Sequence, residues 1–280
     1  MSASDSVSPL TVPLQAPVPA ASVSPAAEPA TSAAPGRQPN PGPAGNPVVP
    51  AAWAPLFAED DPISGGRARA HEAGIDVVDA ATGSLLRFLA ALASARTVVQ
   101  VGTGAGVSGL WLLRGMRPDG VLTSIDPDAE SQRLAQAAFR ADGVHHPRTR
   151  LIAGSAPAVL PRLSDAGYDL VHLDCPAREV PECVVEALRL LRPTGVLVIG
   201  RALSTPTPGV PIGAPSSEPR REPGETDPME QVRDIIRANP RLTPLLVPVG
   251  TGILAAVLAP APAPAPDDGP EAGGTERRGA

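Results

Sequence analysis

The sequence predicts an α/β fold with a doubly wound, mostly parallel seven-stranded sheet and a C-terminal antiparallel hairpin. Short apolar runs alternate with helical patterns between residues 83 and 199, as in right-handed βαβ units whose sheet is covered on both faces. The last two apolar runs are separated by a short turn at Gly250-Thr251-Gly252, which is typical of a hairpin. Proline-rich stretches flank this region, and they predict disordered tails.

Five short apolar runs are the predicted parallel strands, and helical periodicity lies before and between them. The predicted strands are residues 97–101, 121–125, 149–153, 168–173 and 195–199. The predicted helices are residues 83–93, 106–117, 129–141, 156–163, 183–191 and 227–238. The hairpin pairs residues 242–249 with residues 253–258. Pro244 and Pro248 favour an edge position for its first strand, because proline has no N–H to donate.

The ordered domain is expected at residues 65–259. Residues 1–60 are rich in Pro and Ala and carry no periodic apolar face, so burial cannot offset the entropy lost on ordering. We expect the same of residues 260–280. Within the domain, the composition of residues 204–226 predicts a proline-rich loop.

Composition excludes several classes of function. All 23 basic residues are Arg, so no lysine can serve as a base, a Schiff base or a P-loop residue. The net charge of −6 argues against a nucleic-acid partner. No apolar run reaches the roughly 18 residues that span a membrane, and no signal-peptide pattern is seen. Cys175 and Cys183 alone cannot form a disulfide scaffold or a four-cysteine zinc site. We therefore expect a cytoplasmic protein.

The strongest site signal is a glycine-rich loop that follows the first predicted strand and opens a helix. It reads Gly102-Thr103-Gly104-Ala105-Gly106, and such glycines allow positive φ and close approach of a ligand to the backbone. Asp126 ends the second predicted strand. A carboxylate at that position can accept hydrogen bonds from both hydroxyls of a ribose.

Two kinds of ligand compete for this loop. The spacing of Gly104, Gly106 and Gly109 matches a dinucleotide fingerprint, whereas Gly102, Gly104 and Gly106 match the loop of S-adenosylmethionine enzymes. The final hairpin and the lack of a second mononucleotide-binding half favour S-adenosylmethionine. Nearby carboxylates also suit a cationic sulfonium better than a pyrophosphate.

Four segments resemble the bacterial O-methyltransferases related to catechol O-methyltransferase. They are residues 100–112, 120–127, 168–174 and 190–198. The resemblance implies the Rossmann-like sheet of a class I methyltransferase, S-adenosylmethionine as cofactor, and methyl transfer to an oxygen atom of a small-molecule acceptor. An apolar helix ahead of the first strand would also suit a homodimer.

The resemblance also implies roles for individual residues. Val78 would pack on the cofactor, and Asp126 would hold its ribose. Gly102, Thr103 and Gly104 would line the methionine moiety, with Ser108 reaching its carboxylate. Ser155 and Ala156 would flank the adenine. Asp174 would face the sulfonium and the acceptor, as cofactor-binding and catalytic residue. Gln100 stands where the family usually has Glu, which removes a charge but keeps hydrogen bonding.

The family's metal-dependent members carry an Asp after strand four, a Lys three residues later, and an Asp-Asn pair after strand five. Here these positions are Asp174, Ala177 and Gly200-Arg201. One carboxylate beside a guanidinium is a poor cage for a hard dication, so we expect no metal. The same losses also suit an alternative, in which a catalytically degenerate methyltransferase fold serves as a cofactor-binding or interaction protein.

Overall fold

The protein is described here from a computed structural model, which describes residues 54–203 and 226–261. Most of the predicted tails at residues 1–60 and 260–280, and of the predicted loop at residues 204–226, therefore lies outside the described residues.

Strands and helices alternate through the described part of the chain. The strands are β1 (Thr97–Val101), β2 (Val121–Asp126), β3 (Thr149–Ala153), β4 (Tyr168–Leu173), β5 (Leu191–Ile199), β6 (Leu242–Val247) and β7 (Ile253–Leu258). The helices are α1 (Asp61–Glu72), α2 (Ala80–Leu92), α3 (Val107–Gly115), α4 (Ala129–Ala141), α5 (Ala156–Val159), α6 (Val180–Leu190) and α7 (Pro228–Ala238). Short 3₁₀ turns adjoin several of these helices.

The seven strands form one sheet in the order β3-β2-β1-β4-β5-β7-β6. Strands β1 to β5 are parallel, whereas β7 runs antiparallel to both β5 and β6. This arrangement confirms the predicted fold class. The order reverses direction between β1 and β4, and the carboxyl ends of parallel strands at such a switch point are where α/β folds bind ligands.

Strand β6 lies at one edge of the sheet, as its prolines predicted. Pro244 stands opposite Ala256 of β7, and an edge strand tolerates proline because its outward side needs no ladder bond. The turn at Gly250 and Gly252 has positive φ at both glycines, in agreement with the predicted hairpin turn.

Two apolar clusters cover the two faces of the sheet. One includes Val98 and Leu170 from the strands with Leu86 and Leu110 from α2 and α3. The other joins alternate strand residues to side chains of α6 and α7. Successive strand residues point to opposite faces. Because both faces are covered, nearly every position of the central strands is buried. No helix of the described residues is long and apolar enough to cross a membrane.

Helix α1 was not predicted from the sequence. It buries only Ile63, Gly66 and Ala70, so its apolar stripe is too narrow to stand out. Its beginning nonetheless carries a signal, since Asp60 is the N-cap and accepts a hydrogen bond from Ile63 N at 3.4 Å. A proline then follows within the first turn, which is a favourable position for it.

Candidate functional site

The glycine loop lies at the carboxyl ends of β1, β2 and β4, and backbone hydrogen bonds hold it there. Gly102 N donates to Ile125 O at 3.0 Å, and Asp174 N donates to Val101 O at 3.0 Å. Gly102, Gly104 and Gly106 have φ values of +86°, +49° and +85°. The predicted use of glycine for a left-handed backbone is thereby confirmed at all three positions.

The three glycines differ in what surrounds them. A Cβ on Gly102 would lie 2.2 Å from Asp174 O, and one on Gly106 would lie 2.8 Å from Ala135 Cα. A side chain at either of these two positions would therefore clash with neighbouring backbone. A Cβ on Gly104 would meet only Ile75 Cγ2, at 3.7 Å, among the described residues. Gly104 therefore marks the side of the loop that a ligand can approach.

The carboxylate of Asp126 is hydrogen-bonded to the backbone of this loop. Its Oδ2 accepts from Thr103 N at 2.8 Å and from Gly104 N at 3.2 Å, and its Oδ1 accepts from Asp128 N at 2.9 Å. Asp126 is 9% exposed. A carboxylate offers about four lone-pair sites, so the remaining one, on Oδ1, suits one ligand hydroxyl. The structure brings the predicted loop and the predicted acid together, but with less free capacity than two hydroxyls would need.

Gln100 lies beneath the loop and is fully buried. Its Nε2 donates to Gly102 O and to Ser108 Oγ, both at 2.8 Å. The hydroxyls of Thr103 and Ser124 lie 2.8 Å apart. Because Gly102 O can only accept, an amide performs here a task that an ionised Glu could not. Gln100 thus acts on the loop and on the Ser108 hydroxyl.

The remaining predicted cofactor residues are Ser155 and Ala156, which follow β3, and Val78, which precedes α2. Ser155 is exposed and is the N-cap residue of α5, whereas Ala156 is buried. Gly154 N donates to Asp126 O at 3.1 Å, so this pair is close to the acid. Val78 is half-buried, and its carbonyl accepts from Arg67 Nη2 at 2.8 Å.

In the segment that precedes α2, Ile75 is one residue that reaches the loop, and sequence reasoning missed it. It packs with Ala70, Ala105 and Leu134, beside the open position at Gly104. The segment between α1 and α2 has no strand or helix periodicity, and the family resemblance points to Val78 in this segment rather than to Ile75.

Asp174 and Arg201 meet where β4 and β5 end. Arg201 Nε lies 2.8 Å from Asp174 Oδ1, an ion pair whose angles are poor for a hydrogen bond. Arg201 has φ +56°, which is a strained backbone for a residue with a side chain. The chain around it is fixed, because Gly200 N donates to Leu173 O at 2.9 Å and Ala202 N donates to Gly252 O at 3.0 Å.

This donor set does not fit a divalent cation. The carboxylate of Asp174 is already paired with the guanidinium of Arg201, which would repel the ion. Among the described residues, no group of three or more His, Cys, Asp or Glu side chains is arranged to hold a metal. Metal independence stays a prediction.

His172 is fully buried on β4, two residues before Asp174. Burial lowers its pKa, and the negative charge of Asp174 partly opposes that effect. Neither ring nitrogen has a hydrogen-bond partner within the described ranges. The ring is therefore held neutral inside the core.

Comparison of the sequence with known proteins identifies the family of this chain. A model of the methyltransferase domain matches residues 99–200. A protein from Mycolicibacterium vanbaalenii, provisionally named an O-methyltransferase, is 53% identical over 146 residues, which are 52% of this chain and 65% of that protein. A similarly named protein from Mycolicibacterium smegmatis is 52% identical over 146 residues, which are 52% of this chain and 70% of that protein. The chain belongs to this O-methyltransferase family.

Solved structures agree with this assignment. A protein from Corynebacterium glutamicum aligns with TM-score 0.62 at 28% identity, over 75% of this chain and 95% of that one. The O-methyltransferase TomG from Streptomyces achromogenes, involved in tomaymycin synthesis and solved with S-adenosylmethionine, aligns with TM-score 0.61 at 28% identity, over 75% and 94%. The fold is the Rossmann-like fold of class I methyltransferases. The chain spans just under two thirds of the length of the Mycolicibacterium vanbaalenii relative.

Proposed function

We propose that the protein uses S-adenosylmethionine to methylate an oxygen atom of a small molecule, without a metal ion. The observation that carries this proposal is the bonding of the loop to Asp126, where two consecutive backbone N–H groups share one carboxylate oxygen. Beside them Gly104 leaves open space. A cradle of this kind at the carboxyl edge of a parallel sheet suits a nucleoside. Family membership supports the proposal, as does the ligand bound to TomG.

S-Adenosylmethionine fits the residues present, since a free acceptor site on Asp126 and the open side of Gly104 adjoin each other. When bound, it supplies a methyl group that is already activated on a cationic sulfur. Asp126 would accept from the ribose, and Ser108 would donate to the methionine carboxylate. The other proposed contacts are the backbone of Gly102, Thr103 and Gly104, the side chain of Val78, and Ser155 with Ala156 beside the adenine. Gln100 would hold the loop in place.

Asp174 is the proposed catalytic residue. It follows β4, the strand next to the loop, and its own backbone N–H is hydrogen-bonded to Val101 O, so its place is fixed relative to the glycine loop. The carboxylate would accept the proton of the acceptor hydroxyl. Arg201, paired with the same carboxylate, would stabilise the oxygen as it becomes anionic. Alignment of that oxygen with the methyl group would supply several kcal/mol of rate enhancement.

Two measurements test the proposal. Titration calorimetry should detect S-adenosylmethionine binding with and without magnesium. Methyl transfer from labelled cofactor into a panel of phenols and carboxylic acids should proceed in the presence of a chelator. Binding without transfer to any acceptor would instead favour the alternative of a cofactor-binding or interaction protein. Activity that a chelator abolishes would contradict the metal-free mechanism.

Substitution of Asp126 tests the ribose contact. Asp126→Asn and Asp126→Ala should weaken S-adenosylmethionine binding by about 1–3 kcal/mol, because a charged hydrogen-bond acceptor is lost. Thermal unfolding would be followed in parallel, since the same carboxylate also holds the loop. The control is Asp119→Ala, at an exposed carboxylate that pairs with Arg96. Unchanged affinity in both Asp126 variants would remove the assignment. The homodimer and the cytoplasmic location stay predictions.

A further inference from the structure

The chain has two cysteines, and the fold places them next to each other. Cys175 directly follows Asp174 after β4, and Cys183 lies in α6. Their sulfur atoms are 4.0 Å apart, with the Cys175 thiol donating to the Cys183 thiol. Both are free thiols. The proposed methyl transfer uses neither of them.

We propose that Cys175 and Cys183 are an oxidisable dithiol, which a hydroperoxide converts into an intramolecular disulfide. We further propose that this disulfide weakens cofactor binding. The second statement rests on the proposed function, whereas the first does not.

The reaction consumes one hydroperoxide and removes two electrons from the two thiols. The Cys175 sulfur attacks one oxygen of hydrogen peroxide and the O–O bond breaks. A sulfenic acid forms, and the departing hydroxide takes the Cys175 proton to become water. The Cys183 sulfur then attacks the Cys175 sulfur. The S–O bond breaks, the S–S bond forms, and the hydroxyl leaves with the Cys183 proton as a second water molecule.

Burial assigns the order of these two steps. Cys183 is fully buried among apolar side chains of α6 and the sheet, so an oxidant in solution does not reach it first. Cys175 is partly exposed. The hydrogen bond to Cys183 and the burial of the thiol raise the pKa of Cys175, and the charges of Glu179 and Asp174 add to this. The thiolate is therefore scarce at neutral pH, and oxidation is expected to be slow.

The disulfide would act on the site through the backbone of Asp174. An S–S bond is about 2.05 Å long, so the sulfurs must approach each other by about half of their present separation of 4.0 Å. Asp174 precedes Cys175, and its carbonyl lies where any side chain on Gly102 would have to be. Movement of Cys175 towards α6 would shift this carbonyl, the glycine loop beside it and the Asp174–Arg201 ion pair.

The first experiment tests the dithiol alone. The reduced full-length protein is treated with hydrogen peroxide while folded and is then analysed by intact mass and non-reducing peptide mapping. We expect a loss of two hydrogen atoms, a peptide that joins Cys175 to Cys183, and reversal by a thiol reductant. The matched variants Cys175→Ser and Cys183→Ser should give no such peptide. Added oxygen atoms without a crosslink would overturn the proposal, as would a crosslink that forms only after unfolding in guanidinium.

The second experiment tests the coupling to the site. Calorimetry would compare S-adenosylmethionine binding by the reduced and the oxidised protein. We expect affinity to fall at least about tenfold on oxidation and to return on reduction, with no change in peroxide-treated Cys183→Ser. Equal affinity of the crosslinked and the reduced protein would overturn the coupling. If the reduced protein binds no S-adenosylmethionine, the proposed function fails, and the mass measurement still decides whether the dithiol exists.

Discussion

At the scale of single residues, the glycines of the loop are needed for two different reasons: close packing against neighbouring backbone, and open space for a ligand. Gly102 and Gly106 are required by neighbouring backbone, since a Cβ at either would lie less than 3 Å from a backbone atom. Gly104 shares their left-handed conformation but faces open space. The three glycines look alike in the sequence, but only Gly104 has the space beside it that contact with a ligand requires.

Gly104→Ala should therefore impair binding more than folding. The added methyl group costs about 1–2 kcal/mol of backbone strain and also projects towards the proposed cofactor. Gly143→Ala is the matched control, because Gly143 has φ +69° and no described atom within 4 Å of its Cβ position. We expect similar losses of thermal stability in both variants but a large loss of S-adenosylmethionine affinity only in Gly104→Ala. Equal affinities would show that no ligand contacts this glycine.

His172 should make the fold sensitive to mild acid. Because burial lowers its pKa in the folded state, the unfolded chain binds the proton more readily below about pH 6.5. The histidine's contribution is thus fully present above that pH and is lost as the pH falls, by up to about 1.4 kcal/mol per unit. Denaturant unfolding between pH 5.5 and 7.5 should show a weaker dependence for His172→Gln. His71→Gln, at an exposed position, should behave like the parent; equal slopes for the parent and His172→Gln would contradict this account.

Several site residues could be foreseen because their signal is local. The loop glycines follow a buried strand, and Asp126 ends the next one. The role of Gln100 could not be foreseen, because it depends on where Gly102 O and Ser108 Oγ lie after the loop has folded. The three hydrogen bonds that Asp126 accepts from backbone N–H groups, which leave it one free acceptor site, could not be foreseen for the same reason.

At the scale of elements, the opposite end of β1 is held by a different carboxylate. Asp169 Oδ2 accepts from Arg96 N at 2.7 Å and from Thr97 N at 2.9 Å, and Oδ1 pairs with Arg192 at 2.9 Å. These contacts join the starts of β1, β4 and β5. Asp169 therefore holds the amino ends of these strands together, at the end of the sheet opposite the glycine loop.

Asp169→Ala should lower stability and leave binding intact. We expect a loss of about 1–3 kcal/mol in the free energy of unfolding, because buried donors lose their acceptor. Affinity for S-adenosylmethionine should not change. Asp234→Ala removes an exposed carboxylate that lies near Arg233, and its cost should stay below about 1 kcal/mol. A selective loss of affinity in Asp169→Ala would place this residue in the site after all.

The strands were predictable because each central run is short, mostly apolar and ends at a glycine or an acid. Strand β5 begins four residues earlier than predicted, at Leu191, because the Arg192-Pro193-Thr194 stretch looks like a turn. Helix α1 was missed because it packs on α4 through small residues such as Gly66 and Ala70, which carry little hydrophobic signal.

At the scale of the whole molecule, the carboxyl ends of the strands carry the proposed chemistry, and the amino ends carry supporting contacts. A ligand bound across β1, β2 and β4 should therefore stabilise the entire sheet. At a free concentration 100 times its Kd, S-adenosylmethionine should add about 2.7 kcal/mol to the free energy of unfolding. Differential scanning fluorimetry would measure the shift. A larger shift with a nicotinamide dinucleotide would instead favour the dinucleotide interpretation of the loop.

Strand β6 and its Pro244 have a consequence for the protein at high concentration. An outermost strand is a template on which further chains can add by backbone pairing, and this growth leads to fibrils. Pro244 interrupts the row of donors on that strand, and Pro248 follows directly after it. Growth of ordered aggregates from this side should therefore be poor, even though Leu245 and Leu246 are exposed there.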